Sequence, residues 1–275
     1  MQYSEEKVIL NNGSYMPSIG FGTSLIEGKE CILNVKQALE AGYRHIDTAS
    51  AYENESYIGE AIKESNIPRE EIFITSKVWK DSMGYEKTIE SFNKSLQNLG
   101  LDYIDLYLIH WPRNNDKNLN IETWRALEDL YKQGKVKAIG VSNFLKHHLD
   151  IILDNCEIVP MVDQLEIHPG LTRKETVKFC KENNIVVEAW APLGKGKMLQ
   201  NEKLVEIAEK YNKSVAQICI KWCLQNGIVP LPKTTNWNRM LENKDVFDFL
   251  ILDEDIDFIN SMSFFAGSDM DPNKS

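Results

Sequence analysis

Residues 72–112 read IFITSKVWKDSMGYEKTIESFNKSLQNLGLDYIDLYLIHWP. Ile72–Val78 is a short and mostly apolar run, Tyr85–Leu99 carries its apolar residues at helical spacing and stops at Gly100, and Ile104–Ile109 is apolar again. A strand, a helix and a second strand of this kind form the pattern of a parallel βαβ unit buried on both faces. Outward from it, the same alternation covers nearly the whole chain. It predicts strands at Ile19–Gly22, His45–Thr48, Ile72–Val78, Ile104–Ile109, Val136–Val141, Met161–Gln164, Val186–Ala189 and Ile228–Leu231. Helices are predicted at Cys31–Ala41, Ser56–Glu64, Tyr85–Leu99, Ile121–Lys132, Lys146–Leu153, Arg173–Asn183, Leu204–Tyr211 with Val215–Gln225, and Asp253–Ser261. Gly42, Gly100, Gly134 and Gly227 stand where left-handed helix caps belong. Eight strands with eight crossovers in 275 residues fit an α/β fold, the (β/α)8 TIM barrel. Ahead of it, Val8–Leu10 and Tyr15–Pro17 flank the hairpin-turn pair Asn12-Gly13, so an N-terminal β-hairpin over the barrel floor is expected. No Gly/Ser-rich linker splits the chain, and residues 1–275 are predicted to form a single domain.

Composition narrows the classes of function. With 43% hydrophobic and 26% charged residues the chain is globular rather than disordered. Its 31 basic and 41 acidic residues give a net charge of -10, which opposes non-specific binding to nucleic acid or to an anionic membrane. An anionic ligand therefore needs a local basic cluster. Met1–Gly13 holds Glu5 and Glu6 and no signal-peptide core, and no segment is apolar enough to span a bilayer, so a cytoplasmic protein is expected. The five cysteines show no CxxC spacing, and Cys219 and Cys223, on one helix face, lack partners for a zinc site. No metal is predicted.

Barrels of this kind carry their chemistry at the C-terminal ends of the strands. The second, third and fourth predicted strands end in Asp47, Lys77 and His110, and the loop after the second adds Tyr52. Alone, an Asp there is a helix cap and a Lys points to solvent. Together they make an acid–base set: Lys77 stabilises phenolate and lowers the Tyr52 pKa, Asp47 keeps Lys77 charged, and His110 binds a substrate oxygen. That is a general-acid site for a developing alkoxide. Without a paired nucleophile, metal set or phosphate loop, the electrons must come from a cofactor.

The segments Gly42-Tyr43-Arg44-His45-Ile46-Asp47-Thr48-Ala49, Leu106-Tyr107-Leu108-Ile109-His110-Trp111-Pro112, Gly140-Val141-Ser142-Asn143-Phe144 and Leu231-Pro232-Lys233-Thr234 closely resemble the aldo-keto reductases, and the likeness runs from Val8 to Ser261. The resemblance implies a (β/α)8 barrel that reduces aldehydes or ketones by direct hydride transfer from NADPH, with Asp47, Tyr52, Lys77 and His110 as its catalytic tetrad. By the same likeness Ser142, Asn143 and Gln164 grip the nicotinamide carboxamide, Trp190 stacks on the ring, and Gly22, Thr23 and Asp47 lie near the cofactor. Ala191, Pro192, Leu193, Gly194 and Lys195 belong to the pyrophosphate loop, where glycine backbone and lysine charge suit a diphosphate. Lys233, Thr234 and Arg239 match the positions that bind the adenosine 2′-phosphate, and Asn243 matches an adenine contact. Gly20-Phe21-Gly22-Thr23-Ser24-Leu25 begins like a dinucleotide-binding fingerprint but lacks its third glycine, which speaks against a Rossmann dehydrogenase.

Ser24 replaces a tryptophan frequent in the family, leaving Tyr52, Trp79, His110 and Trp111 as expected substrate contacts. Only about nine residues separate Trp111 from the next predicted helix, and the tail after Ser261 is short and polar, so an open mouth is expected. These features resemble the microbial branch that includes 2,5-diketo-gluconate, prostaglandin F and glyoxal reductases. Small 2-oxoaldehydes and aromatic aldehydes are the expected substrates, and a monomer the expected state. The alternative is an NADP-binding sensor or structural barrel with little turnover. Of the other histidines, His45 is expected inside the barrel, His147 and His148 on a solvent-facing helix start, and His168 in a turn.

Overall fold

The computed structural model describes residues 7–263, 267–268 and 270–275; Glu5 and Glu6 and part of the tail lie outside these. β1 (Lys7–Ile9) and β2 (Tyr15–Pro17) pair antiparallel across Asn12-Gly13. The Asn12 side chain donates to the Lys137 carbonyl and that of Asn11 to the Pro160 carbonyl, which ties the hairpin to the entry ends of two barrel strands, as a floor plug requires. The chain then runs β3 (Phe21–Gly22), α1 (Gly28–Glu40), β4 (His45–Asp47), α2 (Glu55–Glu64), β5 (Phe73–Val78), α3 (Tyr85–Leu99), β6 (Ile104–Ile109) and α4 (Lys117–Lys132). It continues through β7 (Val136–Ser142), α5 (Lys146–Leu153), β8 (Val162–Glu166), α6 (Lys174–Glu182), β9 (Val186–Trp190), α7 (Glu202–Tyr211), α8 (Val215–Gln225), β10 (Ile228–Leu231), α9 (Trp237–Lys244) and α10 (Asp253–Ser261).

The eight strands from β3 to β10 lie side by side in chain order, all parallel. The two sheet edges meet where Gly20 N–H donates to the Pro230 carbonyl at 3.0 Å and Gly22 N–H to the Pro232 carbonyl at 3.1 Å, closing the barrel. Each predicted strand is present, and all four predicted cap glycines have positive φ. Close approach also dictates glycine inside the barrel wall. A Cβ at Gly140 would lie 2.4 Å from the Val162 carbonyl oxygen, which is fixed in the sheet, and 2.9 Å from Leu108 Cδ2. Gly140→Ala is therefore expected to cost about 1–3 kcal/mol, read as a melting temperature lower by roughly 3–10 °C; an unchanged melting curve would contradict this packing.

The structure corrects several readings. α9 falls where no element was predicted, because Asn236 accepts the Arg239 N–H at 3.1 Å and caps a helix there. α4 starts four residues early, at Lys117, where Asp116 accepts the Leu119 N–H. His148 does not face solvent: it is 3% exposed, its Nδ1 accepts the Leu145 N–H at 3.0 Å, and its Nε2 meets Asn114 Oδ1 at 2.6 Å. With no hydroxyl at Leu145 to cap α5, the imidazole takes up the free N–H instead. His45 is fully buried, and Cys219 and Cys223 are buried free thiols.

Candidate active site

β4, β5 and β6 bring Asp47 and Lys77 to one mouth, with His110 one residue beyond β6. Lys77 is fully buried, and its ammonium donates to both Asp47 carboxylate oxygens at 2.8 Å and to the Thr48 carbonyl at 2.9 Å. Three protons thus meet three acceptors in fixed geometry. Tyr52 sits on a one-turn 3-10 helix, Ser50–Tyr52, whose ring lies 5.2 Å from Lys77 Nζ and edge-on to His110 with centroids 5.6 Å apart. That turn is anchored from below: Ser50 donates to the Lys77 carbonyl, and Thr48 to Asn54 Oδ1 at 2.6 Å. The Asn54 amide in turn donates to the Thr23 and Ile26 carbonyls, knitting the loop after β3 to the loop that carries the phenol.

Burial works against the Lys77 ammonium, but Asp47 and Tyr52 outweigh it, and its pKa is raised. Burial also raises the Tyr52 pKa above the ordinary 10.0, although Lys77 pulls it down. The expected sign of the Lys77 effect holds, yet desolvation wins and the phenol stays protonated at neutral pH. His110 is held well below the ordinary imidazole range by burial, then by Lys77 and Lys80, and is neutral. An acid, a fixed cation and a neutral imidazole thus surround one small volume. Trp79 stands edge-on to His110 at 5.0 Å, whereas Trp111 is 3% exposed beneath Lys80, whose ammonium lies 5.2 Å from its ring.

The other expected residues line the adjoining rim. Asn143 adopts a left-handed backbone (φ 63), tolerated by asparagine, and its side chain joins three strand ends: Nδ2 donates to the His110 carbonyl and to Ser142 Oγ, and Oδ1 accepts from Trp190 Nε1 at 2.9 Å. Ser142 Oγ donates to the Gln164 carbonyl, and the Thr23 hydroxyl to the Asp47 carbonyl. Beyond Trp190, Ala191, Gly194, Lys195 and Gly196 all have positive φ (50, 53, 54 and 89) in a turn that includes Pro192 and Leu193. Lys233 and Arg239 are exposed, with Thr234 between them and Asn243 buried on α9.

Sequence reasoning missed four features. Ser24, read only as a lost tryptophan, helps to pull the Tyr52 phenol pKa down. Asn54 was signalled only by its place before a helix. Glu188 is a fully buried acid beneath Asp47, inside what reads as an apolar strand. The tail is not clear of the rim: Ser268 donates through its N–H and hydroxyl to the buried Glu166 carboxylate, and Asn114 Nδ2 donates to the Pro272 and Ser275 carbonyls, so the tail lies along the loop after β6.

The chain belongs to the aldo/keto reductase family, whose sequence pattern matches residues 18–263. Among its relatives, the glyoxal reductase of Bacillus subtilis (strain 168) is 52% identical over 260 residues, covering 94% of this chain and 93% of its own. The 9,11-endoperoxide prostaglandin H2 reductase of Trypanosoma cruzi (strain CL Brener) is 48% identical over 260 residues, covering 93% and 91%. A crystal structure of a Gox0644 mutant in complex with NADPH superimposes with a TM-score of 0.93 at 39% identity, over 99% of both chains.

Proposed function

We propose that this chain reduces aldehydes and ketones to alcohols with NADPH, with Tyr52 as the general acid and small 2-oxoaldehydes and aromatic aldehydes as substrates. The observation that carries the reading is the Lys77 ammonium, locked onto Asp47 and lying 5.2 Å from the Tyr52 ring beside a neutral His110. Family membership and relatives named for glyoxal and prostaglandin H2 reduction support the substrate class.

The rim suits NADPH. Left-handed residues at Ala191 and from Gly194 to Gly196 fold the loop after β9 into a tight turn beside Lys195, and a Cβ at Gly196 would meet nothing within 4 Å, which leaves room for a diphosphate. Lys233 and Arg239 have no carboxylate partner among the described residues, so a chain of net charge -10 keeps two exposed cations for a 2′-phosphate. Ser142, Asn143 and Gln164 would hold the carboxamide, and the Trp190 ring, fixed by its bond to Asn143, would face the nicotinamide. When bound, NADPH supplies the hydride for the carbonyl carbon. His110 holds the carbonyl oxygen by a hydrogen bond, and Tyr52 gives that oxygen its proton as negative charge builds there. Lys77, charged through neutral pH, stabilises the phenolate left behind, and Asp47 holds Lys77 in place.

The test is oxidation of NADPH and of NADH with methylglyoxal, phenylglyoxal, a nitrobenzaldehyde and simple ketones. Turnover is expected with the aldehydes, with NADPH favoured more than tenfold in kcat/KM; Lys233→Ala with Arg239→Ala should bring the two cofactors together. Tight NADPH binding without turnover of any carbonyl would favour a sensing or structural role. The five free thiols suit a reducing compartment such as the cytoplasm.

A further inference from the structure

Directly below the Asp47–Lys77 pair lies a carboxyl that the reaction as derived leaves unused. Glu188 on β9 is fully buried, opposite Gln164 on β8 and Val229 on β10. Gln164 Nε2 donates both its protons to carboxyl oxygens, to Asp47 Oδ1 at 2.8 Å and to Glu188 Oε2 at 2.8 Å. Two acceptors on one side fix the amide's orientation: its nitrogen must face them, and Oε1 is left as its remaining acceptor. Glu188 Oε1 has no hydrogen-bond partner. Its nearest titratable neighbour is His45 Nε2 on β4 at 3.8 Å, which is itself bonded to Thr75 Oγ1 on β5 at 2.8 Å.

We propose that Glu188 is a positioning residue for the reaction, holding the Gln164 amide, and through it the Asp47 carboxylate, by one buried hydrogen bond. The groups facing it are Asp47 and His45 from β4, Lys77 from β5, Gln164 from β8 and the apolar Val229 from β10. Asp163, also buried on β8, accepts from Cys180 Sγ on α6, and Glu188 adds to the burial that holds its carboxyl well above the usual range. Burial and then Asp47 push Glu188 up to about 8, so it is neutral at pH 7 and ionises a little above. His45, pushed down to about 3 by burial and then by Lys77, supplies no compensating cation. Below that ionisation the network is one cation and one anion. Above it, a second anion in a fully buried site raises the cost of phenolate on Tyr52 and makes it a weaker acid. This rests on the reading of Tyr52 as acid, although two of its three tests do not.

The first test needs no cofactor. A carboxyl raised from 4.5 to about 8 keeps its proton in the folded state while the unfolded chain has lost it, so wild-type stability falls as pH rises through that window and levels off above it. Glu188→Gln lacks this component, so its advantage in melting temperature over wild type should grow from pH 5 to pH 8. In the second, NADPH binding followed by fluorescence should stay at wild-type strength in Glu188→Gln, which keeps an acceptor for Gln164. It should weaken about five- to tenfold in Glu188→Leu, which does not. In the third, the wild-type kcat/KM for reduction should fall through an inflection near pH 8 that Glu188→Gln moves upward. Parallel stability curves for wild type and Glu188→Gln overturn the proposal, as does unchanged NADPH binding in a folded Glu188→Leu. If the leucine variant does not fold, the stability curves alone decide. A Tyr52→Phe protein that still turns over would defeat the acid assignment and leave these first two results standing.

Discussion

Tyr52→Phe is expected to lower kcat for carbonyl reduction by about 10²–10⁴-fold, the range set by loss of a positioned general acid, while NADPH binds as in wild type. The substitution removes only the hydroxyl. The ring keeps its edge-on contact with His110 at 5.6 Å and its place 5.2 Å from Lys77 Nζ, so the loss is not a collapse of the site. The one other candidate acid is His110, and its chemistry rules it out as the proton source. Held well below the ordinary imidazole range by burial and two lysines, it is neutral at any pH where the enzyme would work, and a neutral imidazole orients an oxygen without protonating it effectively. The raised phenol pKa has its own consequence: reduction draws on protonated Tyr52 and does not fade through neutral pH for want of the acid. The reverse oxidation draws on phenolate and should rise with pH. Stopped-flow hydride transfer, compared with fluorescence titration of NADPH, separates chemistry from binding. A phenylalanine variant keeping more than a tenth of wild-type turnover would remove Tyr52 from the acid role.

The parts of this site that local sequence made legible are those that depend on chain order alone. Asp47, Lys77 and His110 end strands that are neighbours both in sequence and in the sheet, so reading strand ends in order places them together. Asn143 comes from the resemblance alone. Glu188 does not, since it lies in a strand buried on both faces, where no polar alternation marks which side is inward. Only the pairing of β8 with β9 sets it opposite Gln164. The helix that carries Arg239 and Asn243 was not predicted, because the polar stretch Trp237–Lys244 offers little apolar periodicity and its one start signal is Asn236. His148 and the tail share another cause. Their partners, Asn114 for the imidazole and Glu166 for Ser268, are distant in sequence and meet only when the loops of a finished barrel are laid side by side.

Lys77→Met and Asp47→Asn should each cost about 3–5 kcal/mol of stability, the price of stranding one member of a buried ion pair. In Lys77→Met the carboxylate keeps only the Gln164 amide among its side-chain partners, with no cation. In Asp47→Asn the ammonium keeps the Thr48 carbonyl and loses its counter-charge, and since burial alone drives Lys77 downward, it sheds its proton more readily. The double variant removes both charges at once and should cost less than the sum of the two by about 2 kcal/mol or more, the coupling expected of a desolvated pair in direct contact. Wild-type Lys77 is raised above its ordinary value, so the stability its ammonium contributes is present below pH 10.5 and is lost on the alkaline side only as pH climbs through the folded-state value. Denaturant midpoints at pH 7 and at pH 11 measure both statements. Activity should not follow stability: the double variant, the better folded for its losses, lacks the cation that makes phenolate accessible and should reduce carbonyls no faster than Lys77→Met. If activity instead returned along with stability, the ion pair would be a feature of the barrel's folding and not of its proton transfer.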